Sequence, residues 1–316
     1  MPADLDAAMG FAPEHDRPVP YIDRTHTYYR ALGYDRPYRY AQFADVPFQP
    51  LSKSLETCRV ALITTAAPYD PSKGDQGPWS AYNSAAKFYR IYTVPTDPEP
   101  DLRISHVGID RKHTSQKDMR SWLPLGQLKW AEEDGRIGAL IPQVFGAPTN
   151  RSHRVTLEQD APEMLDRLRA AGADAAVIAA NCPICHQTCS LIARHLEANG
   201  IATVVMGCAK DIVETCGVPR FLFSDFPLGN PAGRPDDEAS QAATLQMALS
   251  LLQAAPGPRT TWQSPIRWSE DADWKLDYSN VDRIAPEELE RRRVEFLRQK
   301  DIAHAKRAAD TEEAAG

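Results

Sequence analysis

The chain has 316 residues, with 36 Lys and Arg against 43 Asp and Glu, a formal charge of −7. That balance excludes a nucleic-acid surface, which needs a basic patch to displace counterions. Hydrophobic residues at 42% and charged residues at 25% exclude a disordered or collagen-like chain and allow a core that needs no disulfide staples.

At about 150 residues per domain, the length suits two domains or one large α/β domain with arms. Residues 1–55 are rich in Pro, Tyr and Arg without a sustained period. They read as an arm whose aromatics, Tyr28, Tyr29, Tyr38 and Tyr40 among them, lie half-buried on a surface. Residues 1–10 have neither a basic nor an apolar signal region, so a cytoplasmic location is expected. No run approaches 18 apolar residues, so no membrane span is expected.

An α/β domain is expected over residues 56–256. It opens on a buried strand at 59–65, followed by a loop at 68–78 dense in Pro, Gly and Asp, with further strands at 88–94, 102–107 and 136–141. Asp160 with Glu163 reads as a capping box. The helix behind it carries Met164, Leu165 and Leu168 and ends at Gly172. Residues 175–180 form a short apolar strand. Leu191, Ile192, His195 and Leu196 then show helical spacing closed by Asn199-Gly200, with His195 as a core histidine. Strands follow at 201–206 and 220–226. This alternation predicts βαβ units, hence a mainly parallel sheet with flanking helices and right-handed crossovers.

A helix over 236–252 places Ala242, Leu245, Leu249 and Leu252 on one face, and Pro256-Gly257-Pro258 stops it. Residues 257–316 read as a C-terminal tail holding Trp262, Trp268 and Trp274, then a charged helix opening near Pro286. That helix has few apolar positions beyond Leu289, Phe296, Leu297 and Ile302, so it is expected to project or to pack on a partner, and an oligomer is expected.

The chemistry concentrates in Asn181-Cys182-Pro183-Ile184-Cys185-His186-Gln187-Thr188-Cys189, between a parallel strand and a helix. Ligands of open α/β sheets bind outside the carboxyl ends of strands. Cys182 falls at the helix N-terminus, with Pro183 in the first turn. The positive end of the helix favours thiolate there and lowers the Cys182 pKa. Four readings stand side by side. In a redox dithiol, Cys182 attacks and Cys185 resolves, in either assignment. A metal site would recruit Cys182, Cys185, Cys189 and His186, or Cys208 from the next strand end. The Cys-x-x-Cys-His order also matches haem attachment, and buried thiols can simply fill a core. Cys58, alone before the first strand, reads as core filler.

These residues resemble the selenoprotein B subunits of glycine, sarcosine and betaine reductase, together with D-proline reductase. The resemblance rests on the unit at 174–206, on Val218-Pro219-Arg220-Phe221-Leu222 and on Phe226-Pro227-Leu228-Gly229-Asn230-Pro231-Ala232-Gly233. Upstream, Arg90, Ile104-Ser105-His106, Asp110, Leu123-Pro124-Leu125 and Gly135-Arg136-Ile137-Gly138 also resemble its pattern. It covers about residues 58–252. Where the family reductases place selenocysteine this chain has Cys, and the Cys185-x-x-x-Cys189 spacing is wider. The resemblance implies a thiol-dependent reductase that cleaves a C–N bond of an amine or amino-acid-like small molecule, the amine being activated by a pyruvoyl group on a second subunit. A dithiol electron donor, protein or small molecule, then reopens the Cys182–Cys185 bridge. No cofactor and no metal ligand are assigned. The alternatives are a zinc or iron–sulfur protein using the same Cys, or a non-catalytic subunit of a reductase complex.

Around the dithiol, His106 is the candidate acid that protonates a leaving amine. Cys189, His186, Asp110 and Cys208 are candidate supporting residues. Arg90 and Arg220 are candidate carboxylate clamps, because guanidinium binds carboxylate through paired hydrogen bonds. Residues 229–233 read as a turn, and Trp79, Tyr82 and Trp122 as packing rather than a cation–π box.

Overall fold

The computed structural model describes residues 16–34, 36–69, 90–149 and 152–313. Helix α1 (Tyr21–Ala31) precedes strand β1 (Arg59–Thr64), whose last five residues are buried. Then come β2 (Ala67–Pro68), β3 (Tyr92–Pro95), β4 (Leu102–Arg103), α2 (Leu125–Glu133), β5 (Ala139–Gly146) and α3 (Ala161–Ala170). The units β6 (Ala175–Ala179), α4 (Pro183–Ala198), β7 (Ala202–Gly207), α5 (Lys210–Cys216) and β8 (Arg220–Phe223) alternate as expected. Helix α6 (Glu238–Ala254), β9 (Thr260–Gln263) and α7 (Pro286–Glu313) follow.

Among the described residues the main sheet has seven strands in the order β3-β5-β1-β6-β7-β8-β9, and the fold is α/β. Every pairing is parallel except that of β3 with β5. Continuous apolar runs suit such strands because helices cover both faces. On one face Val60, Leu62, Val177, Val204 and Leu222 meet Leu125 and Leu128 of α2 and Leu245, Leu249 and Leu252 of α6. On the other, Ile63, Ile178, Val205 and Phe221 meet Met164 and Leu168 of α3 and Ile192 and Leu196 of α4.

Several elements differ from their sequence reading. The strand expected at 102–107 is only Leu102–Arg103, paired antiparallel with Ala67–Pro68 outside the main sheet. The strand expected at 136–141 begins at Ala139, because residues 136–138 are still leaving the turn of Gly135 (φ 67°). Asp160 has helical backbone angles and no capping bond from its side chain. It sits inside a longer helical stretch that starts at Ser152, whose side chain accepts the Val155 N–H. Ala242 is exposed and Gln241 and Thr244 are buried instead, so the inward face of α6 is partly polar. Helices α1, α2 and α5 carry no clean apolar stripe and were not expected.

The arm and the tail both pack on the body. The backbone N–H of Ala41 donates to the Gln187 side chain at 2.6 Å, and Arg194 donates to the Asp45 carbonyl at 2.8 Å. Tail strand β9 pairs with β8 at the sheet edge. Trp274 is buried beside Tyr21, and Trp268 packs on Phe226 at 5.5 Å between ring centroids. Helix α7 leans Phe296 between Tyr29 and Tyr34 and leaves Val294, Leu297 and Ile302 exposed. No helix among the described residues is long and apolar enough to cross a membrane. The loop expected at 68–78, residues 88–89 of the next strand, Trp79 and Tyr82 lie largely or wholly outside the described residues.

Candidate functional site

The strand order reverses direction between β1 and β6. The chain leaves β1 toward β3 and β5, returns across β1 to β6, and then proceeds outward to β7, β8 and β9. The carboxyl ends flanking such a switch point form a crevice. Here they are tied together: Asn181, just beyond β6, donates its amide to the hydroxyl of Thr65, just beyond β1, at 3.4 Å, and Asn181 is fully buried. Its carbonyl oxygen Oδ1 has no hydrogen-bond partner.

Cys182 is the N-cap of α4, held extended (φ −115°, ψ 172°) with Pro183 directly after it. Its sulfur accepts the backbone N–H of Cys185 at 3.3 Å, as an N-cap side chain should. The first helical turn then brings Cys185 Sγ to 2.8 Å from Cys182 Sγ. Cys182 keeps 5% of its surface exposed and Cys185 none. The pair therefore has an outer and an inner sulfur.

His106 arrives from the loop behind β4. One of its ring nitrogens and the two sulfurs all lie within 4.8 Å of one another, and all three residues are buried. Three contacts dock this loop. Gly108 lies against the Pro183 ring, Tyr278 donates its hydroxyl to the Gly108 carbonyl at 3.0 Å, and Arg111 donates to the carbonyls of His106 at 2.7 Å and Ile104 at 3.1 Å. Burial opposes ionisation of the Cys185 thiol. The hydrogen bond from Cys182, the charge and hydrogen bond of His106 and a hydrogen bond from Thr65 outweigh it, and hold the thiol well below its ordinary range. Across 2.8 Å that charge belongs to the pair. Arg111 is drawn down to about 10 by burial, against the opposing pull of Cys182 and Tyr278, and remains a cation at neutral pH.

The structure thus brings Cys182, Cys185 and His106 together, and turns most of the other sequence candidates elsewhere. His186 is fully buried. Its Nε2 accepts the backbone N–H groups of Cys208 at 2.8 Å and Ala209 at 3.1 Å, so the ring carries its proton on Nδ1, 2.7 Å from the Cys182 carbonyl. It cross-links the ends of β6 and β7 rather than facing a sulfur. Gly207 lets the ring approach, since a Cβ there would sit 2.6 Å from it. Cys189, one turn beyond Cys185, faces the α3–α4 core layer, and burial drives its thiol upward. Cys208 points into the cluster of Tyr21, Ile212 and Phe226, and burial raises it too. The four-residue metal set read from the sequence is therefore not assembled. Cys58 is buried core, as expected.

Asp110 is buried and accepts from His113 Nδ1 at 3.1 Å, while His113 Nε2 lies 3.0 Å from Asp277. It belongs to a chain of contacts that fastens the His106 loop to the tail. Arg220, the second candidate clamp, is paired with a carboxylate inside the protein. It opens β8 at the amino edge of the sheet, opposite the dithiol, where it is buried with Glu197 at 2.8 Å and lies 4.2 Å from the Phe48 ring. Arg90 is exposed ahead of edge strand β3. His195 is half-buried with Nε2 unpartnered, and Trp122 packs in the core, donating to the Gln116 carbonyl. Thr65, Asn181, Arg111 and Tyr278 had not been singled out. Thr65 and Asn181 carried a readable signal, a polar residue ending each of two apolar strands. Arg111 and Tyr278 carried none.

Fold and site define a doubly wound α/β protein with a buried dithiol at the carboxyl edge of its sheet. Among curated proteins, the chain is 28% identical to the D-proline reductase gamma subunit of Acetoanaerobium sticklandii over 210 residues, covering 66% of this chain and 83% of that one. It is 27% identical over 216 residues to the gamma subunit of glycine reductase complex component B of Carboxydothermus hydrogenoformans. It is 26% identical over 233 residues to the same subunit of Symbiobacterium thermophilum. These matches take in 66% and 71% of this chain and 49% and 52% of those proteins, so the chain spans about half the length of the component B subunits. No protein-family model and no solved structure matches. The chain is related to the gamma subunits of the D-proline and glycine reductases, as its motifs indicate.

Proposed function

We propose that this chain is the dithiol-bearing subunit of a reductase complex that cleaves a C–N bond of an amine or amino-acid-like substrate. The observation that carries the reading is the pair of sulfurs 2.8 Å apart at a helix N-terminus, with His106 against them. Its relatives are named as gamma subunits, two of the three reported being of a complex component, which supports a second subunit that holds and activates the amine.

Cys182, the outer sulfur, attacks as thiolate the carbon that bears the amine. The C–S bond forms, the C–N bond breaks, and the nitrogen leaves with the bonding pair and takes a proton from the His106 imidazolium. Cys185 then attacks Cys182 Sγ. The disulfide forms, the C–S bond breaks, and the carbon takes a proton in place of sulfur. The substrate gains two electrons, and the two thiols lose two. A dithiol donor, small molecule or protein, returns them by thiol–disulfide exchange. The burial of the pair favours this order because, of the two, only Cys182 retains an exposed edge.

Mild oxidation followed by peptide mapping tests the pair. A Cys182–Cys185 bridge that a dithiol reopens is the expected result, and Cys185→Ser should leave Cys182 as a mixed disulfide or substrate adduct. Oxidation that joins neither cysteine to the other would defeat the proposal.

A further inference from the structure

The geometry points to a second use of the same three side chains: reduced Cys182 and Cys185 together with His106 form a binding site for a thiophilic divalent ion, Zn²⁺, with a fourth position left open. The ligand atoms lie within 4.8 Å of one another. A tetrahedral zinc with sulfur at about 2.3 Å and nitrogen at about 2.0–2.1 Å sets its ligands roughly 3.6–3.8 Å apart. The His106 nitrogen lies within 4.8 Å of both sulfurs, so an adjustment of about one ångström suffices there, and the sulfurs need only part from 2.8 Å by about as much.

Two thiolates and one imidazole are the donor set of an open zinc site, as distinct from the closed four-ligand set of a structural one. Charge supports the assignment. Two thiolates neutralise one divalent ion, so a complex held by three buried residues carries no net charge. The alternative ligands point away: His186 has both ring nitrogens committed to the backbone, and Cys189 and Cys208 face other core layers. Because a disulfide has no thiolate to offer, zinc and the Cys182–Cys185 bridge exclude each other. Zinc would therefore hold the pair reduced and bar it from attacking a substrate. The site stands whether or not the pair cleaves a C–N bond.

Titration of the reduced, metal-free full chain with Zn²⁺ alone tests it, with Co²⁺ as an optical stand-in and X-ray absorption on the zinc form. We expect one ion per chain, intense thiolate-to-cobalt charge-transfer bands, and a shell of two sulfurs and one nitrogen. His106→Gln and Cys185→Ala should each weaken binding by more than the roughly 10–100-fold that loss of a supporting hydrogen bond costs. Cys189→Ala should leave it unchanged, and chain oxidised beforehand should not bind. Absence of binding by reduced chain, a shell of oxygen and nitrogen only, or full affinity in a folded Cys185→Ala variant would each overturn the assignment. If a variant misfolds, the shell measured on the unaltered chain decides alone.

Discussion

Gly108 rests on Pro183: a Cβ at Gly108 would meet Pro183 Cδ at 2.7 Å and the Tyr278 hydroxyl at 3.4 Å. The loop that carries His106 is seated on the first turn of the helix that carries the dithiol, and the seat has room for hydrogen only. Both sides are stiff. Pro183 is a ring in the first turn, and the loop is held from behind by Arg111 and Tyr278.

Gly108→Ala should therefore lift His106 from the sulfurs while the sheet stays intact. The overpacking should cost about 1–3 kcal/mol. The same change should move the ionisation midpoint of the dithiol upward, toward the ordinary thiol range. Melting curves and alkylation against pH measure both. A variant unchanged in both would mean that the loop does not set the geometry of the site.

The dithiol should also report itself directly. In the reduced chain Cys182 should alkylate faster than Cys58, Cys189, Cys208 or Cys216. Its profile should have a midpoint below the usual thiol value of about 8.5, because its sulfur caps the positive end of α4. His106→Asn should move that midpoint upward, while Cys189→Ala should not. Mass spectrometry of labelled peptides gives the rates. Faster labelling of Cys58 than of Cys182 at neutral pH would contradict the site.

His186 links pH to stability. Burial lowers its pKa from 6.5 to about 4, against the opposing pull of the Cys182 carbonyl and Cys185. The unfolded chain, with its free imidazole, binds more protons than the folded one between those two values. The neutral ring's contribution is thus fully present above pH 6.5 and is lost as the pH falls through the window. The loss by pH 4 should be on the order of 3 kcal/mol. The stability gap between the natural chain and His186→Gln should narrow over that range in denaturant titrations. A constant gap from pH 7 to pH 4 would show that the ring is not held neutral.

Arg220→Met should destabilise the chain by about 3–5 kcal/mol, because it strands the buried Glu197 carboxylate. The companion change Glu197→Met should recover much of that loss. Neither should alter the alkylation profile of Cys182, since the pair lies at the amino edge of the sheet and the dithiol at the carboxyl edge. A folded Arg220→Met chain that kept its stability but lost binding of a carboxylate substrate would restore the clamp reading.

The sheet and the place of the dithiol were legible in the residues alone, because both rest on local rules. Apolar runs such as 60–63 and 175–180, too short for helices, read as strands covered on both faces. A Cys-Pro step after one of them puts a thiol at a helix start, and two Cys three apart meet within one turn. Helices α1, α2 and α5 were not legible, because their stability comes from packing rather than from an apolar stripe. The partners of each side chain were not legible either. His106 and Cys185 are far apart in sequence and meet only because the β4 loop folds over the α4 terminus. His186 adjoins Cys185 yet faces away, since a helix turns successive side chains by about 100°. Whether Arg220 meets a substrate or Glu197 depends on which edge of the sheet it occupies, and strand order decides that. Composition and spacing determined the kind of fold and the kind of chemistry. Tertiary packing alone decided which residues share the dithiol, because long-range contacts leave no periodic trace in the chain.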